Sequence, residues 1–172
     1  WWTQHASIGA GTAYLDLSST AASTSLSWGG IPNSSTFTIN NSYAVAGQRV
    51  IAYCWAEIEG YSKFGSYVGN GSADGPFVYC GFKPAWVMIK RTDSTDSWAI
   101  FDSSRDSTNP VERLLRAEST NIEATMTSLV SNPFGDLLSN GFKIRNTSTI
   151  DNVGSYIFAA YAESPFTTAN AK

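Results

Sequence analysis

Charge is scarce in this sequence. Only 15% of its 172 residues are Asp, Glu, Lys or Arg, against roughly 25% in ordinary soluble domains. The net charge is −3 and there is no basic block. Nucleic-acid binding therefore loses its main electrostatic driving force, and no nucleic-acid partner is expected. No apolar run approaches the roughly 18 residues of a membrane span, so no membrane insertion is expected. The only histidine is His5. Gly-x-Ser-x-Gly and any Cys/His arrangement are lacking, which leaves nucleophilic catalysis without support. No metal site or other cofactor is expected, since Cys-x-x-Cys is also lacking. Two cysteines, Cys54 and Cys80, are too few for a disulfide framework. They are either buried free thiols or a single bond between neighbouring strands.

What is plentiful is hydroxyl and aromatic side chains. Ser and Thr together number 40, and aromatics make up 13%. The polar surface is mostly hydroxyl and amide. Such a surface suits rigid strands, tight turns and crowded assemblies.

Strand signals dominate the chain. Gln48–Glu57 (QRVIAYCWAE) is a continuous apolar, aromatic and β-branched run. Pro84–Lys90, Ser97–Phe101, Gly141–Arg145 and Ser155–Glu163 read alike, and Ala13–Leu17 and Phe37–Ile39 are shorter candidates. Turn chemistry separates them, as at Gly69-Asn-Gly, Ala73-Asp-Gly-Pro and Asn140-Gly141. Only Pro110–Thr127 carries helical propensity, and its middle reads equally as a strand. This pattern predicts an all-β fold, a β-sandwich or jelly roll.

An internal repeat organises the chain. Phe37–Glu57 (FTINNSYAVAGQRVIAYCWAE) parallels Phe142–Glu163 (FKIRNTSTIDNVGSYIFAAYAE). Trp1–Ser7 lies against Trp98–Ser104, and Tyr14–Ser19 against Leu114–Ser119. The second repeat opens with an extra strand, Gly81–Lys90 (GFKPAWVMIK), that the first lacks. The expectation is a truncated first repeat over 1–59, a Gly/Tyr-rich inter-repeat loop over 60–76 and a second repeat over 77–172. A leading strand resembling GFKPAWVMIK is expected upstream of the first repeat.

Pairing the repeats also sorts aromatics. Those recurring at equivalent places, such as Tyr53-Cys54-Trp55 against Ala159-Ala160-Tyr161, read as shared packing. Trp2, Trp28, Tyr61 and Tyr67, with Asn70 and Asp74, are the nearest approach to a glycan-binding set. Rings stack on the C–H face of a sugar while Asn and Asp take its hydroxyls. Asn70, Ser72 and Asp74 also alternate as a calcium loop would, but too few carboxylates follow, so a glycine-rich connection is favoured. Glu57 with Glu59, and Asp102 with Asp106, are the only carboxylate pairs suggesting glycoside cleavage. Glu57 recurs as Glu163, which favours an ion pair.

The string from Glu59 to Arg91 (EGYSKFGSYVGNGSADGPFVYCGFKPAWVMIKR) is distinctive. With Asp102-Ser-Ser-Arg-Asp, Leu138–Arg145 and Ser155–Phe166, it resembles a family of tailed-phage virion proteins common in marine and environmental phages. The resemblance implies concanavalin-type sandwich repeats and a place on the exterior of the virion. It implies a non-enzymatic structural protein: a tail-fibre or appendage module for host attachment. The partners implied are other virion proteins and a host-surface glycan. A homo-oligomer, a trimer by analogy with fibres, is expected. The alternative is a capsid decoration or cement protein, and a third reading is a carbohydrate-active module. The family supplies no set of binding residues.

Overall fold

The computed structural model describes residues 2–8, 13–25, 33, 35–38, 47 and 49–164. Among these the chain is all-β, with antiparallel sheets and one five-residue helix. Three short strands come first: β1 (Trp2–Thr3), β2 (Ala13–Asp16) and β3 (Thr24–Ser25). They form one small sheet in the order β1-β2-β3. The rest of the chain supplies β4 (Ser62–Asn70), β5 (Phe77–Tyr79), β6 (Pro84–Arg91), β7 (Trp98–Asp102), β8 (Arg113–Arg116) and β9 (Ala124–Thr125). Helix α1 (Met126–Val130) follows, then β10 (Gly135–Leu138), β11 (Gly141–Ile144) and β12 (Val153–Ala162).

A six-stranded sheet ordered β4-β12-β6-β7-β8-β9 faces a three-stranded sheet ordered β10-β11-β5. Alternate side chains fill the space between them: Val87 and Ile89 from β6, Ala99 and Phe101 from β7, Tyr156 and Phe158 from β12, Phe142 and Ile144 from β11. Phe101 and Phe134 stack at 3.9 Å between ring centroids. The opposite face of the large sheet is covered in part by the small one. There Leu15 and Ala13 meet Trp98, Ile157 and Met88. The Trp98 indole N–H also donates to the Asp16 carbonyl at 2.9 Å.

The repeat survives as a strand register. Trp2 pairs Asp16 and Thr3 pairs Leu15; their counterparts pair as Ala99 with Arg116 and Ile100 with Leu115. Ala13 pairs Ser25 and Tyr14 pairs Thr24; Arg113 pairs Thr125 and Leu114 pairs Ala124. Sheet β1-β2-β3 is thus a copy of β7-β8-β9. The copies bury opposite faces, however. Leu114 enters the sandwich core, whereas Leu15, the counterpart of Leu115, enters the contact between the sheets.

Three expectations are corrected. The stretch 60–76 is no loop, because it holds the nine-residue β4. Apolar Phe64, Tyr67 and Val68 give it a strand pattern, and β12 offers it a full-length partner. Gly69 is there for close approach: a Cβ would lie 2.1 Å from the Asn152 backbone. Residues 49–57 of the expected strand Gln48–Glu57 belong to no strand. Phe37 and Thr38 are likewise outside any strand, and Ile39 lies outside the described residues. In Pro110–Thr127 the strand reading prevails, with β8 and β9 preceding the short helix. Thr125 caps that helix by accepting from the Ser128 amide.

Candidate functional site

The feature that stands out is residues 49–58. Val50, Ile51, Tyr53, Trp55 and Ile58 are all exposed, Ile51 at 72% and Trp55 at 66%. Tyr53 and Trp55 stack on each other at 6.2 Å. Alternation along an extended chain puts both rings on one side. A cluster of exposed apolar and aromatic side chains of this kind marks an interaction site in a folded protein.

Its end is anchored to β4. Ile58 forms a bridge with Ser62, and the Ser62 hydroxyl donates to the Ala56 carbonyl at 3.0 Å. Lys63 pairs with Glu57 at 2.8 Å. Lys83 pairs with Glu163 at the same distance. The recurring glutamates thus share an ion-pairing role, as the repeat suggested.

Among the described members of the expected glycan-binding set, Tyr61, Tyr67, Asn70 and Asp74 do not converge. Tyr61 and Asn70 flank opposite ends of β4, about 30 Å apart at the rise of a strand. Tyr61 is half-exposed and meets Tyr161 edge-on at 5.9 Å. Tyr67 packs against the core, stacked on Tyr156 at 5.0 Å, and its hydroxyl donates to the Asp151 carbonyl. Burial raises its pKa well above the ordinary tyrosine value. Tyr67 is therefore a core residue and no sugar platform. The Asn70 amide group donates to the Asp74 carbonyl, and its side-chain oxygen accepts from the Ser72 amide. Asp74 pairs with Lys143 at 2.6 Å. That hydrogen bond and charge hold its carboxyl below the ordinary range. Both residues stabilise a turn. Trp2 lies in β1, and Trp28 lies outside the described residues.

The other candidates resolve into structure. Cys54 is exposed and Cys80 buried, and both are free thiols, so no bond joins them. Desolvation pushes the Cys80 thiol up to about 12, which leaves it inert. The His5 imidazole accepts the Ser7 amide at Nδ1, 3.0 Å. Its repeat counterpart Asp102 accepts the Ser104 amide in the same way. His5 is a turn residue by this parallel. Asp102 and Asp106 belong to an ion network: Arg105 bridges Asp102 and Glu123, and Arg113 bridges Asp106 and Glu123. Among the described residues no group of three His, Cys, Asp or Glu side chains is placed to hold a metal ion. No described helix is long and apolar enough to cross a membrane.

A wide groove of about 820 Å³ lies where the small sheet meets β8 and β9. Ser18, Thr20, Arg116, Glu118 and Asn121 line it. It offers hydroxyls and one charge of each sign, with no aromatic platform. The Glu118 carboxylate is already engaged by the Trp98 amide at 3.0 Å.

Sequence reasoning passed over 49–58 as a site because its aromatics recur at 155–161 and read as shared packing. The usable signal was the unequal strand count of the repeats.

Together these features define an all-β, antiparallel, sandwich-like domain whose most accessible chemistry is an apolar, aromatic surface. The chain belongs to the family described as a domain of unknown function (DUF7483), which matches residues 1–165. No curated protein and no solved structure matches it.

Proposed function

We propose that this chain is a non-enzymatic structural module on the outside of a virion, carried on a tail fibre or similar appendage. There it contacts neighbouring virion subunits and presents its remaining surface to host glycans. The observation that carries the reading is the exposed run Val50, Ile51, Tyr53, Trp55 and Ile58. Such a run is a liability on a free monomer and an interface within an assembly. The resemblance to tailed-phage virion proteins supplies the setting. Of the carboxylates considered for glycoside cleavage, Glu57, Asp102 and Asp106 are tied to lysine or arginine. That engagement supports a scaffold over a catalyst.

The test is location on the particle. A gold-labelled antibody against residues 117–124 suits it, because Ile122 there is 88% exposed. Label along fibres or at the tail is the expected result, with trimers in solution. Label spread over the capsid would overturn the appendage reading in favour of a decoration or cement subunit.

A further inference from the structure

Positive charge in residues 62–164 is almost fully matched. Lys63, Lys83 and Lys143 each hold a carboxylate, and so do Arg91, Arg105, Arg113 and Arg145. The buried Lys90 side chain donates to the Thr20 and Arg91 carbonyls. Arg116 remains. Among the described residues its guanidinium has no hydrogen-bond or ion-pair partner. It lines the groove of about 820 Å³ where the small sheet meets β8 and β9. That volume falls within the roughly 300–1,000 Å³ of ligand sites. A guanidinium stays charged at any working pH, and its planar fork of donors matches a carboxylate.

The rest of the lining suits a sugar. The repeat partners Ser19 and Ser119 accept the amides of Ala21 and Asn121, which leaves each hydroxyl proton free to donate. Thr20, Ser97 and Asn121 also line the groove, and among the described residues their side chains make no hydrogen bond. Ile122, Ala124 and Leu129 supply an apolar wall for the C–H face of a ring. The polar lining is held in place before any ligand arrives. Arg116 is laddered to Ala99, the Asp96 amide and Lys90 both donate to the Thr20 carbonyl, and the Trp98 amide donates to Glu118. Little ordering is then needed on binding. Glu118 limits the charge of the ligand. A polyanion would face its carboxylate, and a neutral sugar would leave Arg116 unmet. We propose that this groove binds a glycan through one acidic sugar, its carboxylate on Arg116 and its hydroxyls on the serine, threonine and asparagine side chains. This deepens the host-glycan part of the reading above and rests on it.

The experiment screens the full chain against an array of uronate- and sialate-bearing oligosaccharides, each beside its carboxyl-reduced counterpart, and titrates the best binder in solution. The expected result is saturable binding of a carboxylated glycan. Binding should be at least about tenfold weaker for the reduced counterpart and for Arg116→Gln, because a charge-assisted pair is lost. Tyr61→Ala, outside the groove, should bind as wild type does. Should Arg116→Gln fail to fold, Ile122→Glu carries the test: it sets a negative charge at a rim position that is 88% exposed, and it should weaken binding likewise. Equal binding of the reduced glycan, or binding that survives the folded Arg116→Gln variant, overturns the groove and leaves the host-glycan reading standing. No binding to any member of the array, acidic or neutral, overturns both. Inorganic sulfate or a triglutamate peptide competing as well as the glycan overturns the sugar assignment, since the groove then takes anions at large. The particle label judges the virion setting separately.

Discussion

Residues 49–57 and 155–163 are equivalent segments of the repeat with two fates. Ile157 is 4% exposed in the centre of the large sheet, and its counterpart Ile51 is 72% exposed. Tyr161 touches Trp86, Phe64 and Tyr61, while Trp55 stacks on its chain neighbour Tyr53. Composition does not separate them. What differs among the described residues is the supply of flanking strands: β12 has β4 and β6 on either side, and 49–57 lies in no strand. Strand propensity expresses packing against cross-strand neighbours more than any backbone preference. The comparison shows that limit within a single chain.

The sharpest way to break this contrast is to truncate one side chain on each side of it. Phe134 is fully buried and stacked on Phe101. Phe134→Ala should cost about 3–5 kcal/mol through lost transfer energy and a cavity. Ile51→Ala should stay within about 0.5 kcal/mol, as for an exposed site. Urea unfolding of both variants checks this. A loss above about 1 kcal/mol at Ile51 would mean that the segment is packed in the free chain.

A second difference is how the well-formed half is buttressed. The turn 146–152 holds a buried polar network beside β4. The Asn146 amide donates to the Phe134 carbonyl and to Asp151 Oδ2, and the Asn152 amide reaches the Ser72 carbonyl. Asp151 Oδ1 is buried with no partner. Desolvation raises the Asp151 pKa from 3.8 to about 8, helped by the charge of Asp96 and opposed by the Asn146 hydrogen bond. The sign is that of a raised acid. The folded state holds the proton more tightly than the unfolded one. This stability is complete below about pH 4 and is lost as pH rises to about 8, at no more than about 1.4 kcal/mol per pH unit. Asp151→Asn should flatten that slope and leave the protein more stable than wild type at pH 8. Urea midpoints from pH 5 to 8 test it. His5, with a lowered pKa, pulls the other way near its ordinary value, so the difference between the variants is the quantity to read. Parallel curves would place a charged carboxylate in the native state.

Much of this fold was legible in the sequence. The β class, the repeat and the strands around Trp86, Trp98, Phe142 and Tyr156 all followed from apolar runs and turn residues. The repeat alignment also brings equivalent residues to equivalent places in the β1-β2 and β7-β8 pairings. The stretch 60–76 was misread because its glycines suggested a linker, although Gly69 serves close backbone approach on a strand. The site was less legible. Tyr67 and Asn70 look alike as loop candidates until the register with β12 turns one into core and the other into a turn brace. Whether 49–57 is buried is set by strands the run does not contain.

The smallest expected effect compares the two recurring glutamates. Glu57 and Glu163 are each about half-exposed and each pairs with a lysine at 2.8 Å. Exposed pairs contribute little, because water screens the charges and two long side chains lose freedom. Glu57→Gln and Glu163→Gln should each cost no more than about 0.5 kcal/mol of global stability. Their local effects should differ. The Glu163 backbone amide donates to the Lys83 carbonyl at 2.9 Å, so main-chain hydrogen bonding already fixes that position. Glu57 is held with Lys63 and the Ser62 contacts to Ala56 and Ile58. Amide exchange over 56–58 should therefore quicken in Glu57→Gln, while 161–163 stays unchanged in Glu163→Gln. Equal behaviour of the two would mean that the first repeat's segment is as firmly laddered as β12. The contrast between the halves would then vanish.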